Sequence, residues 1–462
     1  MMIRKQLLAV FAVAAGAVAG VAVVMPVSVP AYGNPPSDGL HDLIAAHLEA
    51  TGTPGAALAV TTAEAVVRTD AWGVDGDGNP VTAGTPFLWG SVAKPVAATV
   101  VLALGVDPAE PVSRYLPDFA PTWEGAAAMP TVGQLLSHTS GITEMAATDV
   151  GDNETGAVSR VAARLYDYEL DAAPGTEYAY NSSNYLLLGA VAEAVTGREY
   201  ADLVRELVAG PAGMTSVVTG PDAPLPPGHR QFFGHTVAFD DPYDLSGLPY
   251  GYIGGSVTDL AAFGRFALAG EGRDGTWSAH PGTDGRYGFG WSIGELARTG
   301  ERMVWHSGAT RGYQAVLILL PAKGIAVTLV QNTYSEARAE QLLNAAFDTA
   351  RISAGYEAGE AASPNVLFYL PWVVGGLALV ALGWVVWRVR RRVASVPAGA
   401  RGRRRWVLAG VWAMVAVAIP LVVGLAGPGW RTLWLWAPDL AGTTVGLAVV
   451  AGVAAVVEWP QQ

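Results

Sequence analysis

In the stretch LWGSVAKPV, residues 88–96, Ser91 and Lys94 stand three positions apart. On a helix that spacing puts both on one face. A hydroxyl and an amine so placed can attack a carbonyl, the amine taking the proton as the oxygen becomes nucleophilic. The amine must then be uncharged near neutral pH. A lysine loses its proton when burial or nearby cations disfavour the charge, and an arginine does not. Of the 28 basic residues only Lys5, Lys94 and Lys323 are lysines, so a lysine here is a choice. Pro95 fixes the helix start, because proline fits only the first turn. Ser91 therefore sits at the positive end of the helix dipole, with its own N–H free for a developing oxyanion. A serine cap beside a solvated lysine is the plainer reading of the same four residues.

Two further stretches carry reactive groups. PGTEYAYNSSNYLLLG places Tyr180 in a loop just before a helix, and WHSGATRGY places His306 and Gly308 on a strand. Each has a plain alternative: a core tyrosine with a satisfied hydroxyl, and a structural strand histidine. No histidine pair has metal-ligand spacing and there are no cysteines, so neither metal nor cofactor is expected. DGDGNP opens like a calcium loop, but Pro80 and Pro86 occupy the positions that need Gly and Glu, which leaves a turn.

The elements that must position these residues follow from periodicity. GLHDLIAAHLEATG (39–52) reads as a helix stopped by Gly52, and AALAVTTAEAVVRTDAWGV as strand, turn and strand. VAKPVAATVVLALG is helical. From about 106 to 250 the pattern is helix and loop, through TVGQLLSHTSGI, VSRVAARLYDYEL, NYLLLGAVAEAVTG and YADLVRELVAG. VTDLAAFGRFALAG is a helix, and YGFGWSI, MVWHSG with YQAVLILL, and GIAVTLVQNT are strands before a terminal helix. Strands at both ends around a helical middle imply an α+β fold: an antiparallel sheet packed with helices, plus an all-helical insertion.

At 51% hydrophobic and 15% charged, the chain is too apolar to be wholly soluble. Residues 1–31 read as an export signal, with Arg4 and Lys5, an apolar run and a Val29-Pro30-Ala31 cleavage site; an uncleaved anchor is the alternative. Residues 32–353 form the main domain and 354–365, AGYEAGEAASPN, a linker. Residues 366–459 hold three apolar segments of ~20 residues each, enough to span a bilayer as helices. Nine of the 15 tryptophans fall after residue 370, several at segment ends where rings sit at headgroup depth. Eight arginines and no acid lie between the first two spans, which puts that loop and the C-terminus in the cytoplasm and the main domain outside. Between residues 32 and 365 stand 17 basic and 38 acidic residues, a net of −21 that repels nucleic acid. No oligomeric state follows.

The order Ser91-Val-Ala-Lys94, Tyr180, then His306-Ser307-Gly308, with LLSHTSGI at 135–142, resembles the serine β-lactamase and penicillin-binding-protein superfamily over about residues 39–350. The likeness is nearest to its class C β-lactamase, DD-peptidase and esterase branch. It implies Ser91 as nucleophile, Lys94 as base, Tyr180 as relay to the leaving group, and an oxyanion hole from Ser91 and Ala309 N–H. His306 would supply positive potential or a hydrogen bond where many relatives have lysine. Asn181, Ser182, Ser307, Gly308 and Arg311 would line the substrate site, and His138 would be structural. The family's Tyr-Ser-Asn is Tyr180-Asn181-Ser182 here, which counts against β-lactam hydrolysis; Arg311 replaces a common proline and reads first as an ordinary exposed loop arginine, with a contact to a substrate carboxylate as the alternative. The implied function is a membrane-anchored, extracytoplasmic serine hydrolase acting through an acyl-enzyme on esters, D-amino-acid peptides or β-lactams, with a small-molecule or peptidoglycan-derived substrate. The alternative is a decayed domain kept for binding or sensing.

Overall fold

The computed structural model describes residues 39–143, 146–270, 276–394, 402–426 and 429–459; the expected export signal lies outside them. Helix α1 (Gly39–Thr51) ends where Gly52 turns to φ +68°. Strands β1 (Gly55–Thr62) and β2 (Val66–Gly73) follow, and β3 (Ser292–Leu296), β4 (Glu301–Ala309), β5 (Gln314–Leu320) and β6 (Ile325–Gln331) come from the far end of the domain. They form one antiparallel sheet in the order β2-β1-β6-β5-β4-β3.

Strand alternation divides the core between the sheet's faces. Leu58, Val60, Val316, Ile318 and Leu329 face α1 and the terminal helix α6 (Ala339–Ser353). Ala57, Ala59, Leu317, Leu319 and Val330 face helix α5 (Val257–Ala269) and the helical part. Small residues on β1 let α5 approach closely. Ser256 and Asp259 close a reciprocal capping box at the start of α5.

Helix α2 (Ala93–Ala103) carries Lys94 and is preceded by a tight turn over Gly90–Val92 that carries Ser91. The short strand Phe87–Leu88 pairs with Gly254–Gly255 and sets the entry of α2. Trp89, fully buried, donates from its indole to the Gly255 carbonyl at 3.1 Å and from its backbone to the Ile253 carbonyl at 2.9 Å. The chain around Ser91 is thus pinned on both sides before the helix begins.

In the helical part, α3 (Val132–Leu136) occupies only the first half of its apolar stretch, because His138 takes φ +60° and turns the chain. Helix α4 (Ser183–Thr196) follows the Tyr180 loop and stops at Gly197, φ +69°. The part also holds a hairpin, Gly228–Phe232 with His235–Phe239, that periodicity does not announce. Five-residue strands that are half exposed lack the apolar alternation that would mark them. The segment 354–365, expected as a linker, has no helix or strand, yet it is tied down: the Asp348 carboxylate accepts the Gly359 N–H at 2.6 Å and Gln341 donates to the Ala362 carbonyl at 3.1 Å.

Helices α7 (Leu370–Ala394), α8 (Gly402–Leu421) and α10 (Pro438–Glu458) follow, with α9 (Trp430–Trp436) between the last two. Three stretches, Val366–Arg391, Arg405–Leu425 and Pro438–Glu458, are long and apolar enough to cross a membrane. α10 packs on both α7 and α8. Its last residue, Glu458, is buried and accepts the Arg388 guanidinium on α7, with one contact at 2.6 Å. The third apolar segment therefore ends on a buried ion pair.

Replacing Trp89 by Ala removes a filled volume and the Gly255 hydrogen bond together. The expected cost is about 3–5 kcal/mol, to be read as a fall of several degrees in the melting temperature of the detergent-solubilised chain. An unchanged melting temperature would show that the entry to α2 is held elsewhere.

Candidate active site

Lys94 lies on the first turn of α2 with no exposed surface. Its ammonium nitrogen is 2.9 Å from Ser91 Oγ, 3.3 Å from Ser182 Oγ and 3.1 Å from the Tyr250 carbonyl oxygen. It also stands over the Tyr180 ring, 4.9 Å from the centroid. Burial drives its pKa down to about 7, partly opposed by the charge of Asp149. At neutral pH a substantial fraction of the amine is therefore unprotonated and touching the serine hydroxyl.

Tyr180 is delivered by a loop stapled to the turn after α3. Ala179 N–H donates to the His138 carbonyl at 2.9 Å, and Asn181 N–H to His138 Nδ1 at 3.3 Å. Asn184 Nδ2 reaches the same Nδ1 at 3.2 Å, and Ser140 Oγ donates to Asn184 Oδ1 at 2.6 Å. With Nδ1 accepting, the neutral ring carries its proton on Nε2, which has no hydrogen-bond partner among the described residues. The His138 ring instead packs against Tyr180, centroids 4.4 Å apart. Burial raises the Tyr180 hydroxyl well above the ordinary tyrosine value, and its hydrogen bond to Ser91 offsets part of that.

Three of the expected substrate residues, Asn181, Ser307 and Gly308, are not among those that line the cleft. Asn181 is fully buried, its amide donating to the Ile142 and Ala179 carbonyls at 2.6 and 2.9 Å and its oxygen accepting Asn184 N–H at 3.0 Å. Those bonds spend the side chain on the loop and turn it away from the cleft. Ser182, one residue on, takes the inward position beside Lys94 and lines the cleft. Ser307 is not among the lining residues; its carbonyl lies 2.6 Å from His306 Nδ1.

His306 sits on β4, buried, and bonds from Nδ1 to that carbonyl and at Nε2 to the Tyr287 hydroxyl at 3.0 Å. Burial, with the Lys94 charge behind it, lowers its pKa to about 3. The ring is therefore neutral at physiological pH, which, of the two expected roles, positive potential or a hydrogen bond, favours the second. What it offers is a fixed neutral ring 6.1 Å from that of Tyr180, centroid to centroid.

The backbone around Ser91 and β4 is closely fitted. A Cβ on Gly308 would meet the Trp89 carbonyl at 2.0 Å and Ser91 N at 2.4 Å; one on Gly90, at φ +54°, would meet Ala309 N at 2.2 Å. Glycine at both positions lets the backbone before Ser91 lie directly against that of Gly308 and Ala309. A cleft of about 120 Å³ opens there, lined among others by Ser91, Tyr180, Ser182, Tyr250 and Arg311. Arg311 is no loose loop residue: its side chain is 11% exposed and bonds Asp241 at 2.6 Å, whose carboxyl burial lifts to about 6. Asp149, Tyr250, Tyr252 and Tyr287 complete the surroundings, and nothing in their sequence spacing singles them out.

Residues 40–350 match the family model Beta-lactamase. Among characterised proteins the chain is 31% identical over 317 residues to "Penicillin-binding protein 4" of Amycolatopsis lactamdurans, covering 60% of this chain and 81% of that one. It is 27% identical to "D-aminopeptidase" of Cereibacter sphaeroides over 68% of this chain and 62% of that one, and 24% identical to "Protein flp" of Staphylococcus aureus over 64% and 62%. It thus spans less than two thirds of the latter two. In fold it is similar to the octameric penicillin-binding protein homologue from Pyrococcus abyssi, with TM-score 0.59, 22% identity and coverage of 73% and 81%. It is also similar to SurE with D-Leu, with TM-score 0.55, 23% identity and coverage of 71% and 78%.

Gly308→Ala is expected to push β4 away from Ser91, since the Trp89, Gly90 and Ser91 atoms it meets are all backbone. A displacement on the order of 1 Å should lower kcat/KM on an activated ester by about 100-fold without a comparable loss of melting temperature. Wild-type turnover in that variant would refute the fit.

Proposed function

This chain belongs to the Beta-lactamase family, and on that footing we propose that it is a serine hydrolase working through an acyl-enzyme formed on Ser91. The observation that carries the reading is the fully buried Lys94 amine, 2.9 Å from Ser91 Oγ and with its pKa lowered to about 7. Neutral Lys94 takes the Ser91 proton as Oγ bonds to the carbonyl carbon, and Ser91 and Ala309 N–H hold the oxyanion. Tyr180, hydrogen-bonded to Ser91 and beside the lysine, passes a proton to the leaving oxygen or nitrogen as its bond to carbon breaks. Water then attacks the acyl carbon by the reverse proton path and frees Ser91. His306 acts as a positioning residue, its ring fixed by Ser307 and Tyr287. Carbonyl substrates of three kinds fit this chemistry: esters, D-amino-acid peptides and β-lactams. The first is favoured by the turned-away Asn181 amide, which leaves a hydroxyl, Ser182, in its place.

The same reading tethers the domain, taken as residues 32–353, to the outer face of the membrane through three helices. Support comes from the arginines that crowd the end of α7 and the start of α8 and from α9, which rests on the hydrolase domain at the opposite end of the spans.

Because the working form of Lys94 is the neutral one and its pKa is lowered, activity should be lost as pH falls. We expect kcat/KM to rise through a midpoint near pH 7, the value of the Lys94 amine, and to level off above about pH 8; a flat profile from pH 5 to 9 would remove Lys94 as the base. Lys94→Arg, which keeps the charge and cannot accept the proton, should lose about 1,000-fold or more. A fluorophosphonate should label the wild type and not Ser91→Ala. Labelling of both alike would overturn Ser91 as the nucleophile, and a fluorescent penicillin run in parallel distinguishes esterase from penicillin-binding behaviour.

A further inference from the structure

One wall of the cleft comes from the membrane segment. Trp436, the last residue of α9, lines the cleft together with Ser91, Tyr252 and Arg311. Its ring packs edge-on against Tyr334, centroids 5.8 Å apart. α9 is tied to the hydrolase domain along its length. The Arg431 guanidinium donates to the carbonyls of Thr148, at 3.4 Å, and of Asp149, and both of those residues line the cleft too. Arg230 donates to the Leu435 carbonyl at 2.6 Å, and just beyond α9 the Phe233 N–H donates to the Asp439 carboxylate at the start of α10 at 2.9 Å.

Trp436 is also two residues from Pro438, where α10 begins as an apolar helix long enough to span a bilayer. Trp372 near the start of α7 meets Phe233, ring centroids 4.9 Å apart, so the first apolar helix starts at the same level. Trp372, Tyr369 and Trp434 are each about half exposed around these starts, as rings at headgroup depth are. The mouth of the cleft therefore stands at the water-facing surface of the bilayer, and an aromatic wall leads from Ser91 towards it. A small hydrophilic peptide arriving from solution has no use for such a wall. A carbonyl compound with an apolar chain does.

Resting on the acyl-enzyme reading above, we propose that Trp436 is a substrate-contacting specificity residue. The cleft takes an amphiphilic ester or amide whose apolar chain lies along Trp436 towards the bilayer surface while its carbonyl reaches Ser91. Arg431 is the positioning residue that holds α9, and with it Trp436, against the rim.

The test uses the full-length chain in lipid nanodiscs and two ester series of two to twelve carbons, 4-nitrophenyl esters varied in the acyl chain and acetates varied in the alcohol. The kcat/KM of wild type should climb in at least one series, by up to about fourfold for each methylene that Trp436 covers. Trp436→Ala should reduce the long-to-short ratio by about tenfold, Trp436→Phe should keep most of it, and Arg431→Ala should reduce it as Trp436→Ala does. Fluorophosphonate labelling of Ser91 in the same samples counts correctly folded sites, so the ratio is compared per labelled molecule; if Trp436→Ala does not label, Trp436→Leu takes its place with a smaller expected reduction. A ratio that is flat in both series, or that survives intact in Trp436→Ala and Trp436→Leu, overturns the proposal while labelling leaves the hydrolase reading standing. Absence of any Ser91 label in wild type would instead remove the hydrolase reading on which the proposal rests.

Discussion

The structure depends on keeping one amine out of water. Lys94 is fully buried, and the groups that accept its hydrogen bonds are two hydroxyls and a carbonyl. No carboxylate touches it; Asp149 acts only through its field. An ion pair in that place would hold the ammonium charged and hold its pKa high. Each accepting group comes from a different part of the chain: Ser91 from the turn before α2, Ser182 from the loop before α4, and the Tyr250 carbonyl from the segment leading into the Gly254–Gly255 pair. Sheet and helical part must therefore close on each other for Lys94 to be dry, and closing them is what Trp89 and the two glycines, Gly90 and Gly308, accomplish.

The residues on that seam were legible in the sequence for a definite reason. Ser91 and Lys94 share a helical turn, and the Pro95 that follows fixes which turn it is, so their geometry is local. The apolar runs of β1, β5 and β6 and the helical periodicity of α1 and α6 were legible on the same ground. What was not legible is non-local. The Gly228–Phe232 hairpin has too few apolar residues to reveal its period, and Tyr287 meets His306 only because the turn before β3 folds back beneath β4. Asn181 shows the limit from the other side. Its neighbours in sequence suggest a substrate contact, and hydrogen bonds to Ile142, Ala179 and Asn184 spend it instead.

His138 had been expected to be structural, and the geometry makes that role specific. Its positive φ ends α3 early, its carbonyl and Nδ1 hold the Tyr180 loop, and its ring lies against the Tyr180 ring. The segment LLSHTSGI is thus the support for the tyrosine, set one loop away from the chemistry. The membrane segment bears on the site in a comparable way. α9 closes the cleft from outside the hydrolase domain, so a truncation after residue 365 would remove a wall as well as an anchor.

The neutral state of His306 follows from the same constraint as that of Lys94. A second fixed cation at this point in β4 would stand in the same dry pocket and push the Lys94 pKa down further, since like charges in a low-dielectric site disfavour one another. It would itself have to be paired, and no carboxylate among the described residues reaches it. A histidine resolves the conflict by giving up its charge: buried, with its pKa near 3, it bonds a carbonyl through one nitrogen and a phenol through the other. The strand then stays close to Ser91, and the amine in contact with the Ser91 hydroxyl, that of Lys94, is left to titrate near neutrality. Position 306 can hold a histidine here because this site needs shape from β4, and takes its one adjustable charge from α2.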